Sequence, residues 1–243
     1  MEADKLYSDP EIAQFYDLEN GWAEDLDYCA SLAGSCASVL DLGCGTGLFA
    51  ASLTQRDVVG VDPAAAMLDV AAKRPGGDRV QWVRGDARTV RLDRRFDLVV
   101  LTGHAFQVFL TDQDRAAVLR TIAAHLAPKG RFIFDSRNPD VRQWRAWTPA
   151  NSQRHIEHPA IGRVLAWNDA SCDPATCIVT YGTFYKRADG RLHSSQSKIA
   201  FPSQERILAS IHDAGLAVEQ WLGDWSGTPF SPASPEIIPI GTS

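Results

Sequence analysis

The fold is decided by the stretch Val39-Leu40-Asp41-Leu42-Gly43-Cys44-Gly45-Thr46-Gly47, residues 39–47 of the chain. Its apolar first half predicts a buried strand, and its glycines predict a tight turn at the end of that strand. Residues 46–53 continue with the apolar spacing of a helix. Because glycine permits positive φ, the turn can bring its backbone close to a ligand. This order of strand, turn and helix predicts a ligand site above the carboxyl end of the strand.

The rest of the first 140 residues repeats the alternation of strands and helices. Apolar runs predict further strands at 58–61, 80–83, 96–101 and 131–135. One helix is predicted to begin at Pro63 and another to cover Thr111 to Leu126, where Thr111 and Asp114 fit a capping box. Continuous hydrophobicity is typical of strands covered on both faces. The pattern predicts an α/β fold with a doubly wound, mostly parallel sheet.

The pattern changes after Asn138-Pro139. Three strand-like stretches lie between Val164 and Phe201, and Ala188-Asp189-Gly190 predicts a hairpin turn between the last two. Since no long helix separates them, they predict a small antiparallel β insertion after the fifth strand. A helix over Ser203 to Ala214 and two strands at 217–222 and 236–240 follow.

Two aromatic-rich segments with helical patterns, Pro10 to Leu18 and Trp22 to Leu32, precede the glycine strand. The predicted organisation therefore has three parts. Residues 1–36 form an N-terminal helical lid, and residues 37–140 and 202–243 form the ligand-binding sheet domain. Residues 141–201 form the antiparallel insertion, which serves as a substrate cap or a dimer contact.

The composition argues against several classes of protein, including nucleic-acid-binding, membrane-spanning and secreted ones. The 243 residues carry 24 Lys+Arg and 30 Asp+Glu, and the formal charge of −6 argues against a protein that grips nucleic-acid phosphates. No apolar run reaches the ~18–20 residues that cross a bilayer, and the N-terminus lacks the order of a secretion signal. Five cysteines without a C-x-x-C pair predict reduced thiols in a cytoplasmic protein. Cys172 and Cys177 with His155 and His158 match no standard zinc spacing, so no metal is expected.

Three aspartates stand at predicted strand ends beside the glycine turn. Asp41 precedes the turn, where its charge would repel a pyrophosphate and attract a cationic tail. Asp62 is placed to accept hydrogen bonds from a ribose diol. Asp86, with the backbone N–H of Ala87, can read the edge of an adenine. Together they suit an adenosine with a positive, phosphate-free tail, which is the shape of S-adenosylmethionine.

Other interpretations stay open on the residues alone. The run from Gly45 to Ala50 satisfies G-x-G-x-x-A, so an NAD(P)-dependent oxidoreductase or epimerase is one alternative. A non-catalytic regulator that binds S-adenosylmethionine is a second. Each aspartate could also merely cap the helix that follows its strand.

The sequence resembles the class I S-adenosylmethionine-dependent methyltransferases, of the bacterial small-molecule type, over nearly the whole chain. The resemblance rests on residues 39–47 followed by Val61-Asp62-Pro63, Met67-Leu68, Gly85-Asp86-Ala87, Phe96-Asp97-Leu98-Val99 and Leu126-Ala127-Pro128-Lys129-Gly130-Arg131. It implies a seven-stranded Rossmann-like sheet with an antiparallel last strand. It also implies transfer of a methyl group to O or N of an unidentified small molecule by in-line displacement.

The resemblance further implies which residues bind the cofactor. By this resemblance, the methionine moiety is lined by Gly43, Cys44 and Gly45, and the ribose is held by Asp62. The adenine is flanked by Pro63 and Met67, and its edge is read by Asp86 and Ala87. Thr102 follows the fourth strand and lies at the cofactor. In the lid, Tyr16 and Trp22 are candidates for contacts with the methionine carboxylate or the sulfonium. They are equally interpreted as core residues of packed helices.

The acceptor is expected to react near the end of the fourth strand. His104 is the candidate base there, because imidazole titrates near neutral pH. The alternative is that His104 only hydrogen-bonds to backbone or to the N-terminal helices. No Asn- or Asp-Pro-Pro-aromatic motif follows this strand. We therefore expect a small-molecule acceptor, no nucleic-acid or membrane partner, and a possible homodimer.

Overall fold

The computed structural model describes residues 5–243, so the first four residues of the predicted lid lie outside the described part. The helices are α1 (Lys5–Ser8), α2 (Pro10–Ala13), α3 (Tyr16–Glu19), α4 (Glu24–Ala33), α5 (Leu48–Ser52), α6 (Ala65–Ala71), α7 (Asp112–His125), α8 (Pro149–Ser152) and α9 (Gln204–Asp213). The strands are β1 (Ser38–Leu42), β2 (Asp57–Asp62), β3 (Gln81–Arg84), β4 (Phe96–Leu101), β5 (Leu126–Phe134), β6 (Ser136–Arg137), β7 (Arg154–His158), β8 (Gly162–Asp173), β9 (Ile178–Arg187), β10 (Leu192–Ala200), β11 (Ala217–Leu222) and β12 (Glu236–Thr242). Over residues 5–243, every helix is too short or too polar to cross a membrane.

Seven strands form the central sheet in the order β11-β12-β5-β4-β1-β2-β3. Strands β1 to β5 run parallel to one another, whereas β12 is antiparallel to both β5 and β11. The short β6 pairs with the start of β12, which sets Arg137 opposite Glu236. The predicted doubly wound sheet with an antiparallel last strand is confirmed. The strand order reverses between β1 and β4, so a ligand site is expected above their carboxyl ends.

Apolar side chains cover both faces of this sheet. On one face, Leu40 of β1 packs in a buried cluster with Leu119 of α7 and Phe134 of β5. On the other face, Val39 packs with Phe49 of α5 in a second cluster. Successive residues of a strand point to opposite faces, which is why these strands are hydrophobic throughout. The double cover leaves the strand ends as the places where polar side chains gather.

The insertion forms a second, antiparallel sheet in the order β10-β9-β8-β7. The predicted hairpin joins β9 to β10, and Gly190 adopts a φ of 87° in its turn. The expectation of three strands was incomplete, because β7 adds a fourth. Its sequence, Arg154-His155-Ile156-Glu157-His158, has one apolar residue and therefore lacks the alternation that reveals a half-buried strand.

Helix boundaries show both agreement and error. The Thr111 cap is confirmed, since its Oγ1 accepts a hydrogen bond from the Asp114 amide at 3.1 Å. Pro63 does not open a helix: the Asp62 side chain accepts from the Ala64 amide, and α6 begins at Ala65. Helix α7 ends one residue earlier than predicted, because Leu126 pairs with Phe96 and so enters β5.

The N-terminal segments differ more from expectation. Pro10 to Leu18 is not one helix, since α2 ends at Ala13 and α3 begins at Tyr16. The intervening Phe15 is fully buried, with its ring stacked on Tyr185 of β9 at a centroid distance of 4.3 Å. The break in the helix therefore lets an aromatic side chain anchor the N-terminal helices on the antiparallel sheet. The second segment is a helix only from Glu24, which leaves Trp22 in the connection.

Candidate active site

The glycine turn connects β1 to α5 above the carboxyl ends of the strands. Gly43, Gly45 and Gly47 all have positive φ, at 74°, 53° and 73°. The amides of Gly43 and Cys44 donate to the carbonyl of Val61 at 2.7 and 3.1 Å, which ties the turn to β2. A Cβ on Gly47 would lie 2.4 Å from the Trp82 ring, so space as well as φ requires glycine at that position.

Asp62 fixes the shape of this turn from the end of β2. Its two carboxylate oxygens accept hydrogen bonds from the Gly45 amide at 2.9 Å and the Ala64 amide at 2.8 Å. Burial raises the pKa of Asp62 above its ordinary value, and the two amides partly oppose that shift. Each oxygen keeps a second lone pair, so the carboxylate can still accept from a ribose diol.

Asp41 lies beneath the turn and is only 3% exposed. Burial, reinforced by the charge of Asp62, raises its pKa to about 7. Among the ion pairs of residues 5–243, neither of these aspartates has a cationic partner. Two buried carboxylates without a counter-charge favour a cationic ligand, because a nearby positive charge stabilises their ionised form.

The residues predicted to hold an adenine differ in their burial and in the partners that they already have. Met67 is buried with Ala64 beneath Tyr16, whereas Pro63 is exposed. The Asp86 carboxylate is already engaged, since it pairs with Arg88, whose guanidinium also binds Asp114 at 2.8 Å. These hydrogen bonds from Arg88 hold the pKa of Asp86 below its ordinary value. Ala87, which follows Asp86 just after the end of β3, is buried.

The N-terminal helices reach the turn through α3. A Cβ on Gly45 would lie 3.9 Å from the Tyr16 hydroxyl, so this tyrosine sits directly against the turn. Burial and the charge of Asp62 raise the pKa of Tyr16, which therefore stays a neutral hydrogen-bond donor. Asp17 accepts from the Thr46 hydroxyl at 2.6 Å and pairs with Arg74. Trp22 is not brought to the turn: it is 45% exposed, and its indole N–H donates to Asp27.

The segment after β4 lies beside the glycine turn. A Cβ on Gly43 would lie 3.2 Å from the Ala105 Cβ, which places the two loops in contact. Thr102, at the end of β4, accepts the Ala105 amide through its carbonyl at 3.3 Å. Between them, His104 has a left-handed backbone with φ of 61°. Its amide donates to both oxygens of Asp135, at 3.0 and 3.1 Å, and this clamp stabilises the unusual conformation.

The His104 side chain faces two carboxylates. Its Nε2 lies 3.1 Å from Glu236 Oε2 and 3.4 Å from Asp135 Oδ2. Asp135 is 1% exposed, and burial raises its pKa to about 6, lowered again in part by His104 and raised by Glu236. The structural alternative, in which His104 hydrogen-bonds only to backbone or to the N-terminal helices, does not describe its ring, which lies against a side chain of β12 and one that follows β5. Its role as a base stays a prediction. One ligand atom from each of the three residues lies within 4.8 Å of the others, so the group can hold a cation.

Sequence reasoning missed both carboxylates. Asp135 follows β5 as Asp41, Asp62 and Asp86 end or follow their strands, and that shared position was the available signal. Glu236 offered no such signal, because it begins a strand 132 residues after His104. Asp17 was missed for a similar reason, since its contact with Thr46 depends on how α3 folds back over the turn.

The sheet, the glycine turn and the strand-end carboxylates define an α/β protein that binds a nucleoside with a cationic tail. Comparisons with known proteins specify the class. Residues 39–130 match the family described as a methyltransferase domain. The cypemycin N-terminal methyltransferase of a Streptomyces species is 29% identical over 84% of this chain and 82% of its own length. The dTDP-3-amino-3,6-dideoxy-alpha-D-glucopyranose N,N-dimethyltransferase of Streptomyces fradiae is 32% identical over 58% of this chain and 55% of its own length.

Solved structures agree in fold. The CcbJ methyltransferase of Streptomyces caelestis superposes with a TM-score of 0.76 at 20% identity, covering 95% of this chain and 96% of that one. A S-adenosylmethionine-bound amino pentose methyltransferase from Micromonospora echinaspora gives 0.68 at 21% identity, covering 92% of each chain.

Residues 39–130 therefore match a methyltransferase domain, and the chain is similar to a methyltransferase over most of its length. The chain is an enzyme that transfers a methyl group from S-adenosylmethionine, which excludes the oxidoreductase alternative.

Proposed function

We propose that the acceptor atom is nitrogen and that the acceptor is an amine bound beside His104. The observation that carries this proposal is the grouping of His104 with the Asp135 and Glu236 carboxylates next to the glycine turn. An aliphatic amine is a cation at neutral pH, and two partly buried carboxylates stabilise it far more than they stabilise a neutral alcohol. The similarity to the cypemycin N-terminal methyltransferase and to the Streptomyces fradiae N,N-dimethyltransferase, both N-methyltransferases, supports the same assignment.

The cofactor would supply an electrophilic methyl carbon on a positively charged sulfur. The amine nitrogen would attack that carbon as the carbon–sulfur bond breaks, and the electron pair of that bond would stay on sulfur. An ammonium has no free lone pair, so it must first lose a proton. The Nε2–H of His104 faces the Glu236 carboxylate at 3.1 Å, so His104 would accept that proton at its other ring nitrogen, Nδ1, and Glu236 would stabilise the resulting imidazolium. Asp135 positions His104 through the backbone clamp.

The cofactor contacts belong to the same proposal. Gly43, Cys44, Gly45 and Asp41 would surround the methionine moiety, with the Tyr16 hydroxyl against Gly45 as a hydrogen-bond donor to its carboxylate. Asp62 would hold the ribose, and Met67, Pro63 and Ala87 would line the adenine. Asp86 would reach the adenine only if it shares its hydrogen bonds with Arg88. Trp22 would take part only after a rearrangement of the connection between α3 and α4.

The wider predictions are proposals as well. We place the lid at residues 1–36, the catalytic domain at 37–140 and 202–243, and the cap at 141–201. Five free cysteines support a cytoplasmic location, because such thiols persist in a reducing compartment. A homodimer stays a prediction from the sequence.

The test measures transfer of labelled methyl from S-adenosylmethionine to matched pairs that differ at one atom. The pairs are cyclohexylamine and cyclohexanol, glucosamine and glucose, and trialanine and N-acetyl-trialanine. We expect methylation of at least one amine and of none of its partners. Glu236→Gln should reduce transfer to the amine, because the acceptor then loses a charged partner. Methylation of an alcohol but of no amine would contradict the proposal.

A further inference from the structure

The strand β10 presents a polar face to the interior of the protein. His193, Ser195 and Ser197 alternate along it and are 8%, 7% and 5% exposed. The residues between them, Ser194 and Gln196, are exposed on the other face. A buried face is normally apolar in an antiparallel sheet of this kind, so three polar residues in a row need an explanation.

These side chains keep unused hydrogen-bonding capacity. The hydroxyls of Ser195 and Ser197 and the Nε2 of His193 have no hydrogen-bond partner among residues 5–243. His193 uses its other ring nitrogen, which lies 3.4 Å from a Glu11 carboxylate oxygen. Burying a hydroxyl without a partner costs stability, and folded proteins contain few such groups. The two serine hydroxyls therefore do not stabilise the fold through hydrogen bonds.

The same face adjoins the segment that carries His104. Gln107, three residues further along, donates from its side chain to the carbonyl of Ala200 at the end of β10, at 2.7 Å. Gln107 also accepts from the Arg137 guanidinium at 3.0 Å. Arg137 of β6 lies opposite Glu236 of β12, and Glu236 is the residue that contacts His104. Contacts thus lead from His104 to the end of β10.

A second line of contacts reaches Ser197 itself. Tyr181 pairs with Ser197 across β9 and β10, which places the two side chains on one face. The Tyr181 ring lies 5.9 Å from the Trp147 ring, and the Arg137 guanidinium lies 5.1 Å from the same ring. Ser195 pairs in turn with Thr183. Ser197 therefore shares a face with Tyr181, whose ring neighbours Trp147 and, through it, the Arg137 that pairs with Glu236.

We propose that Ser195 and Ser197 bind the acceptor by hydrogen bonds to polar groups remote from its reacting nitrogen. The inference rests on the proposed amine methyltransferase function. Two residues along a strand separate side chains by about 7 Å, so the acceptor carries hydroxyl or amide groups at a similar spacing. A hydroxylated ring amine and the amino-terminal end of an extended peptide both offer that chemistry. A purely apolar amine does not.

The test compares Ser195→Ala, Ser197→Ala and their double variant with Ser194→Ala, which removes the same hydroxyl from the opposite face. Each protein is saturated with S-adenosylhomocysteine and titrated with glucosamine, trialanine and cyclohexylamine by calorimetry. We expect glucosamine or trialanine to bind about tenfold more weakly to each buried-face variant. Ser194→Ala should bind like the parent, and cyclohexylamine should not distinguish the variants. Which polar amine responds identifies the source of the hydroxyl or amide groups.

Thermal unfolding of the ligand-free variants separates binding from structure. Since the two hydroxyls have no partner among the described residues, their removal should leave Tm unchanged or raise it. A fall in Tm of about 4 °C or more in Ser195→Ala or Ser197→Ala overturns the proposal, because the hydroxyl then stabilises the fold. Equal binding of the polar amines by parent and double variant also overturns it, while the amine function stands. Failure of every amine to bind the parent overturns both.

Discussion

The glycine turn and the inner face of β10 treat polar groups in opposite ways. Asp62 accepts hydrogen bonds from the Gly45 amide within the turn and from the Ala64 amide after β2, and each of the three turn glycines has positive φ. On β10, by contrast, the Ser195 and Ser197 hydroxyls have no partner among the described residues. A region whose polar groups hydrogen-bond to one another is held in one conformation. A region whose donors and acceptors have no protein partner can instead hydrogen-bond to a ligand. The glycine turn therefore suits the cofactor, which is the same for every acceptor, and the inner face of β10 suits recognition of one particular acceptor.

The largest loss of cofactor affinity is expected from a substitution of Asp62. Asp62→Ala should weaken S-adenosylhomocysteine binding about 1000-fold, because the ribose loses a charged acceptor and the amides of Gly45 and Ala64 lose their hydrogen-bond partner. Calorimetry measures the effect. Asp57→Ala, at the other end of the same strand, is the control and should bind normally. Near-parental affinity in Asp62→Ala would show that the cofactor lies elsewhere.

His104 tests whether proton transfer is separate from cofactor binding. His104→Gln should lower turnover of an amine acceptor about 100-fold, since the general base is lost, while affinity for S-adenosylhomocysteine changes less than about threefold. Steady-state rates and calorimetry give the two values. His155→Gln, on the exposed part of β7, provides the control. A parallel loss of rate and affinity would indicate that His104 supports the loop rather than the reaction.

Asp41 sharpens the comparison through pH. With a pKa of about 7, it gains its negative charge as pH rises through neutrality, so affinity for cationic S-adenosylmethionine should rise over the same interval. Asp41→Asn should remove that rise and lower the preference for S-adenosylmethionine over neutral-sulfur S-adenosylhomocysteine about tenfold at pH 8. Binding measured from pH 5.5 to 8.5 checks both statements. An unchanged pH profile in the variant would assign the titration to another group.

The same aspartate affects the ligand-free protein. Its folded pKa lies above its unfolded value, so the folded state holds the extra proton and the free energy of unfolding falls as pH rises from about 4 to about 7. Asp41→Asn should therefore raise Tm at pH 8 and have little effect at pH 4. A lower Tm at pH 8 would contradict this account.

The smallest effect is expected at Asp17, which links α3 to the turn. Asp17→Asn should weaken cofactor binding about threefold, because a partly exposed ion pair with Arg74 contributes little. Glu24→Gln, an exposed carboxylate at the start of α4, is the matched control. A loss as large as that of Asp62→Ala would mean that α3 is part of the cofactor site rather than a cover over it.

The two regions are also unequally predictable from sequence. The strand ends and the glycine turn are local patterns, so the amino-acid order alone is enough to place Asp41, Asp62 and Asp86. Glu236 reaches His104 from 132 residues away, and the pairing of β12 with β5 and β6 brings it there. Strand β7 has too few apolar residues to reveal itself, and the break at Phe15 depends on contact with Tyr185. Where a feature depends on distant packing, the local pattern contains no information about it.

The position of β12 has a consequence for biosynthesis. This strand lies between β5 and β11, and it carries Glu236 to His104. A ribosome makes it after every other strand of the central sheet. Until then β5 has an open edge, β11 lacks its neighbour, and His104 lacks one of its carboxylates. Under the proposed mechanism, the complete charge group around His104 and protection of the sheet edge therefore arrive together, at the last step of synthesis of the sheet.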